Sequence, residues 1–328
     1  MKKVVVLLVS VILFISCKET EADKLAILPD SNAKINNVSI IIDESLWSGE
    51  IGDSIRKKFA APVDGLPQEE PLFTLNQYPT KVFEGFVRKS RNVIIVQKTN
   101  KTGFNHQETQ FAKPQQVFYI LGKDNAEILA ILEKKASEII ATIKASDIVE
   151  NQVRLRKSPV SDKKVRAKFG IALTLGYGYK YDMIQDNFLW IRKEFNNGAS
   201  YNSILVYDVP YETIEKDNNI VGNIIKMRDS IGKLYIHGTL PNTWMVTEAA
   251  YAPYLFEIKL AGRPTFETKG TWDLKNDFMA GPFVNYAIKD VKNNRYLILE
   301  GFTFHPSKSK RDLVFELEAI IKSVKFLK

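Results

Sequence analysis

The stretch "DNAEILAILEKKASEIIATIKASD", Asp124 to Asp147, decides the fold. It closes one half of the chain in the way that "SKRDLVFELEAIIKSVKF", Ser309 to Phe326, closes the other. In the first stretch Asp124 is placed to cap a helix and Glu127 follows three residues later, the spacing of a capping box. Ile128, Ile131, Leu132, Ile139, Ile140 and Ile143 recur at helical intervals and define an apolar face. In the second, Leu313, Leu317, Ile320 and Ile321 do the same. A helix with one apolar face must lie on something, and what precedes each of these helices reads as strands.

In the first half, VSIIID (Val38 to Asp43), FTLNQYP, NVIIVQKT and QQVFYILG are rich in β-branched and aromatic residues. LWSGEIGDSIRKKF (Leu46 to Phe59) has Leu46, Ile51, Ile55 and Phe59 near helical spacing, and AAPVDGLPQEEP after it reads as loop. From Ile148 to Lys164 the chain turns polar and basic. It can carry the helix a little further before Pro159 stops it, and the domain boundary is expected here. The second half runs KFGIALTL, a Gly-Tyr turn in GYGYKYD, then NFLWIRKEF and NSILVYDV as strands. IVGNIIKMRDSIG follows as a helix closed by Gly232. WMVTEAAY, LFEIKLAG, PTFETKGTW, FVNYAIKD and RYLILEGFTF are further strands, with Asn293-Asn294 as a hairpin turn. The expected class is α+β. Two tandem domains, residues 38–150 and 165–328, are each predicted to be a mainly antiparallel sheet covered by helices.

Composition agrees with a folded body. Of 328 residues, 45% are hydrophobic and 11% aromatic, which excludes a disordered chain. The formal charge of +8 falls to +6 when Lys2 and Lys3 are set aside. The surplus is spread out, without the basic patch or stripe of a nucleic-acid binder, so no nucleic-acid partner is expected.

Residues 1–16 read as a leader. Lys2 and Lys3 precede the apolar run Val4 to Ile15, which is too short to span a bilayer. Phe14-Ile15-Ser16-Cys17 then resembles the lipobox of bacterial lipoproteins, with Phe14 where leucine is usual. That resemblance implies that Cys17, the only cysteine, carries lipid and becomes the mature N-terminus. Several acyl chains on one residue would hold the protein on a membrane durably. Residues 17–37, the cysteine and the polar stretch after it, read as a tether, and Lys18-Glu19 resembles the short charged signals of surface-exposed lipoproteins. The expected location is the cell envelope, with the outer membrane favoured over the inner and the periplasmic or external side left open.

LWSGEIGDSIRKKF, GYGYKYD with FLWIRKEF, and FTFHPSKSKRDLVFELEAIIKSVKF together resemble a family of Bacteroidota lipoproteins defined only as a domain of unknown function. The second half is also similar to the PsbP/Mog1-type sandwich. Neither resemblance supplies catalytic residues.

The search for chemistry is short. His106, His237 and His305 lie far apart and form no metal-binding pair, and neither a nucleophile elbow nor a phosphate loop occurs. No catalytic residue, metal or cofactor is assigned. The candidate ligand-binding residues are Tyr177, Tyr179, Trp190, Arg192, His237 and Trp244, because aromatic faces beside a guanidinium suit a sugar or peptide. The expected role is a non-catalytic binding or assembly module with an envelope protein or glycan as partner. The rivals are an envelope hydrolase with an unrecognised site, and glycan or peptide capture in an aromatic groove.

Overall fold

The structure, a computed structural model, describes residues 27–195 and 198–327. The leader and Cys17 lie outside the described residues.

The first domain holds five strands: β1 (Asn37–Ile41), β2 (Thr74–Tyr78), β3 (Asn92–Lys98), β4 (Gly103–Glu108) and β5 (Gln116–Gly122). They are ordered β2-β1-β3-β5-β4. Antiparallel pairing dominates the chain as a whole, as expected, but this sheet departs from it. β1 runs parallel to both β2 and β3, β3 runs parallel to β5, and only β4 is antiparallel. The reason is visible in the residues. Val38, Ile40 and Ile41, and Val93 to Val96, are buried without a break, so both faces of these strands are covered. Parallel strands also need crossovers: helices lie in those joining β1, β2 and β3, and β4 lies in the one from β3 to β5. Between β1 and β2 lie α1 (Glu44–Trp47) and α2 (Glu50–Phe59), and between β2 and β3 lies α3 (Gly85–Arg88).

Helix α4 (Asn125–Arg156) is the long element expected from Asp124 onward. The Asp124 carboxylate accepts from the Glu127 N–H at 3.0 Å, and the Glu127 carboxylate accepts from the Lys123 N–H at 2.8 Å. The first bond satisfies an orphan N–H of the helix, and the second ties down the residue before the cap. Ile128, Leu132, Ile139 and Ile143 pack on the first sheet with Ile51, Ile55 and Phe59 of α2. The helix continues into the polar stretch expected to separate the domains and ends at Arg156, before Pro159, so that Leu155 enters the core of the second domain.

The second domain is one antiparallel sheet in the order β10-β12-β13-β14-β9-β8-β7, with β11 also on β12. Its elements are α5 (Lys163–Phe169), β6 (Ile171–Ala172), β7 (Tyr179–Gln185), β8 (Phe188–Phe195), β9 (Ser200–Val209), α6 (Tyr211–Glu215), α7 (Ile220–Tyr235), β10 (Trp244–Thr247), β11 (Tyr254–Leu260), β12 (Arg263–Lys275), β13 (Ala280–Asp290), β14 (Arg295–Phe304), α8 (Arg311–Ile321) and β15 (Lys325–Phe326). Strand alternation divides β9 cleanly. Ile204 and Val206 face α8 and α5, while Leu205 and Tyr207 face α6 and α7. Asn294, at φ 50°, makes the left-handed turn expected between β13 and β14.

Three local expectations are corrected. KFGIALTL is mainly not strand, because α5 runs through Phe169 and stops at Gly170 (φ 68°), leaving only Ile171–Ala172 paired with β15. Gly232 does not end α7, which continues to Tyr235; the glycine is there because a Cβ would fall 2.1 Å from the Met245 carbonyl oxygen. The tether expected over residues 17–37 is packed at its far end, where the Ser31 N–H donates to the Lys113 carbonyl at 2.9 Å and the buried Asn36 donates its N–H to Asp147 at 2.8 Å.

The domains are locked together. Glu70, in the proline-rich loop of the first domain, accepts from the Lys310 and Arg311 N–H groups at 2.6 and 2.9 Å. It thus supplies the cap that α8 lacks from its own sequence. Leu66 of the same loop packs on the second core, and the Gln152 amide donates to the Ala319 carbonyl.

Candidate functional site

Where α4 ends, the chain crosses to the second domain and turns through Gly176-Tyr177-Gly178. The two glycines do different work. A Cβ on Gly176 would meet the Leu155 side chain at 2.5 Å, so the turn can lie directly on α4. Gly178 has φ +88°, a left-handed conformation that other residues rarely adopt. Held this way, Tyr177 is 81% exposed and projects into a groove between the domains.

The groove encloses about 480 Å³. Its walls carry Arg154 and Ser158 from α4 and the segment after it, Lys193 from β8, and Asp312 and Glu316 from α8. The two acids are four residues apart and so share one helix face. Tyr179 is buried below the groove and its hydroxyl donates to Glu316 Oε1 at 2.9 Å. Burial, and then the Glu316 charge, push the Tyr179 phenol well above the usual tyrosine range, so it stays protonated and donating. Lys193 Nζ donates to the same carboxylate at 2.9 Å and lies 5.5 Å from the Tyr179 ring centroid. Arg154 donates to Glu150 at 2.7 Å, and Asn36 donates to Asp312 at 2.9 Å. The arrangement offers both signs of charge, donors from both domains and one free aromatic face.

The six candidate residues do not form one site. Successive residues of a strand point to opposite faces, so Lys193 joins the groove while Arg192 lies behind the sheet. There Arg192 sits 5.2 Å from the Trp190 ring and 5.5 Å from Tyr201, with Asp182 and Glu194 at 3.2 and 2.9 Å. Trp190 is a core residue, its indole N–H donating to Ser203 at 3.0 Å. His237 and Trp244 form a bridge at the end of α7, with Lys233 and Lys275 over the indole. Of the six, Tyr177 alone lines the groove, with Tyr179 buried beneath it. Sequence reasoning missed its charged residues, since Arg154, Lys193 and Glu316 are brought together only by tertiary packing. Among the signals available, only the parity of Lys193 with the buried Leu189 and Ile191 placed it on the α8 face.

The histidines stand on separate elements. His106 stacks on Phe118 with its Nε2 2.6 Å from Gln116, His237 contacts the Lys233 carbonyl, and His305 is buried beyond β14. Among the described residues no group of three or more His, Cys, Asp or Glu side chains is arranged to hold a metal.

An α+β pair of domains with a polar groove at the seam is the class this geometry defines. Residues 158–323 match the model of a domain of unknown function, DUF4837, and residues 31–156 match a second, DUF8532. The first match covers half of the chain, and the protein belongs to the DUF4837 family. None of the curated proteins matches it. Among solved structures, the Saccharomyces cerevisiae Ran-binding protein Mog1p is similar at 9% identity, over 48% of this chain and 91% of that one, with a TM-score of 0.32. A point mutant of Mog1 gives 9%, 48%, 92% and 0.28. The similarity to the Mog1-like fold is weak.

Proposed function

We propose that the protein is a lipid-anchored cell-envelope module that binds without catalysis, and that the groove between its domains is the recognition site. The observation supporting this reading is the presentation of Tyr177, 81% exposed on a glycine-framed turn, above the Lys193–Glu316 pair. An exposed aromatic ring normally costs solubility. Here it stands over converging donors and acceptors, the composition of a site for a polar ligand with apolar faces. A glycan would stack on Tyr177 and hydrogen-bond to Glu316, Lys193 and Ser158. A peptide would place its charged groups against Arg154, Lys193 and Asp312. Capture of such a ligand is favoured over hydrolysis because both carboxylates of the groove are already engaged, Glu316 by Tyr179 and Lys193 and Asp312 by Asn36 and Arg311, rather than standing free as an acid and a base. Attachment through Cys17, with the outer membrane as the favoured location, rests on the leader and lipobox.

The test pairs two measurements. Cys17→Ala is expected to release the protein from the membrane fraction, and retention there refutes anchoring. Binding of envelope glycan fragments and short peptides, measured by calorimetry, is expected to weaken about tenfold or more in Tyr177→Ala, as for loss of a stacking aromatic. Binding unaffected by both Tyr177→Ala and Lys193→Ala removes the groove from the proposal.

A further inference from the structure

Besides the four-residue β10, which pairs only with β12, the second sheet has two edge strands, β7 and β11, of opposite character. β7 is broken by a register shift between Tyr181 and Met183, a common guard against edge-to-edge pairing. β11 is regular over all seven residues and pairs only with β12. Its turn, Ala261-Gly262 at φ 50° and 76°, makes Leu260 and Arg263 a hydrogen-bonded pair. Alternation from that pair directs the backbone groups of Tyr254, Phe256, Ile258 and Leu260 toward β12. Those of Leu255, Glu257 and Lys259 face the open edge.

The side chains of this strand are sorted as well. Tyr254 and Phe256 are 50% and 37% exposed, on the same face as Ile258 and Leu260. Glu257 and Lys259 are exposed on the other face, and neither has an ion-pair partner among the described residues.

We infer that β11 is a self-pairing edge whose partner is a second copy of this chain, joined antiparallel about a two-fold axis through Ile258. In that register Glu257 faces Lys259 of the partner strand and Lys259 faces its Glu257. The backbone groups of both pairs bond across the seam, and Phe256 lies opposite the partner's Leu260. A shift that centres the axis on Glu257 puts two carboxylates opposite each other, which is destabilising. Charge therefore selects one register when the strand meets its own sequence.

Sedimentation of the body from Lys18 to Lys328, which contains every described residue, is expected to show a dimer at micromolar concentration. Glu257→Lys and Lys259→Glu each replace two attractive cross-strand pairs by two repulsive ones, and each is expected to weaken the dimer about tenfold or more. The doubly reversed chain, Glu257→Lys with Lys259→Glu, is expected to dimerise like the original. Far-ultraviolet circular dichroism, unchanged for these exposed positions, shows that the variants are folded. A monomer at every concentration overturns the inference, and so does a dimer indifferent to the single reversals or not recovered by the double one.

Discussion

Arg228 on α7 and Glu300 on β14 form an ion pair in which both side chains are 1% exposed. The guanidinium donates to Glu300 Oε1 at 2.8 Å and to Oε2 at 3.0 Å, also donates to Thr247, and lies 3.3 Å from the Phe283 ring centroid. Asn285 gives Glu300 Oε2 a further donor at 2.8 Å. Arg228→Ala leaves a carboxylate deep in the second core with one amide for company. Removing one partner of such a pair costs about 3–5 kcal/mol, because the remaining charge is desolvated and unpaired. For a body of about 310 residues each kcal/mol moves Tm by about 1.5 °C, so the expected fall is about 5–8 °C. Differential scanning calorimetry of the Lys18–Lys328 body at neutral pH measures it. The reasoning also predicts that Arg228→Met with Glu300→Leu recovers at least half of the loss, since a buried pair and an apolar replacement of similar volume are nearly equivalent. A fall below about 3 °C in the single variant, or a double variant no better than the single, would refute the argument that the uncompensated charge dominates.

Two other outcomes follow from the same packing. Burial by itself would raise the Glu318 pKa, but Lys269 and Lys322 outweigh it and hold the group at about 2. A depressed carboxylate pKa adds stability that is complete above the unfolded value and is lost as pH falls toward the folded one. Acid titration should therefore remove on the order of 3 kcal/mol between about pH 5 and pH 2, and Glu318→Gln should flatten that limb. Gly232→Ala should lower Tm even though alanine is the better helix former, because its Cβ meets the Met245 carbonyl. A gain in Tm would mean that α7 and β10 are less closely packed than described.

Much of the local structure was legible from residue order. The cap at Asp124, the apolar faces of α4 and α8 and the left-handed Asn294 depend on side chains within a few positions of one another, and such interactions act before any tertiary contact forms. The first sheet was misjudged in one respect for an equally physical reason. VSIII, apolar except for the buried Ser39, and VIIV have the pattern of strands covered on both faces, and that pattern carried the parallel pairing. Gly232 looked like a helix stop because its function lies across space, at Met245, and not along the chain.

The sequence by itself determined the α+β character and the two closing helices, because 3.6-residue and two-residue periodicities are local properties of the chain. Only the tertiary structure decided which side chains meet. Leu155 had to cross into the second core before Gly176 could lie against it and lift Tyr177 into the groove. Glu316, more than 130 residues further on, had to arrive on α8 to receive both Tyr179 and Lys193. The parity of β8 sent Arg192 and Lys193 to opposite sides of the sheet, dividing residues that stand next to each other in the chain.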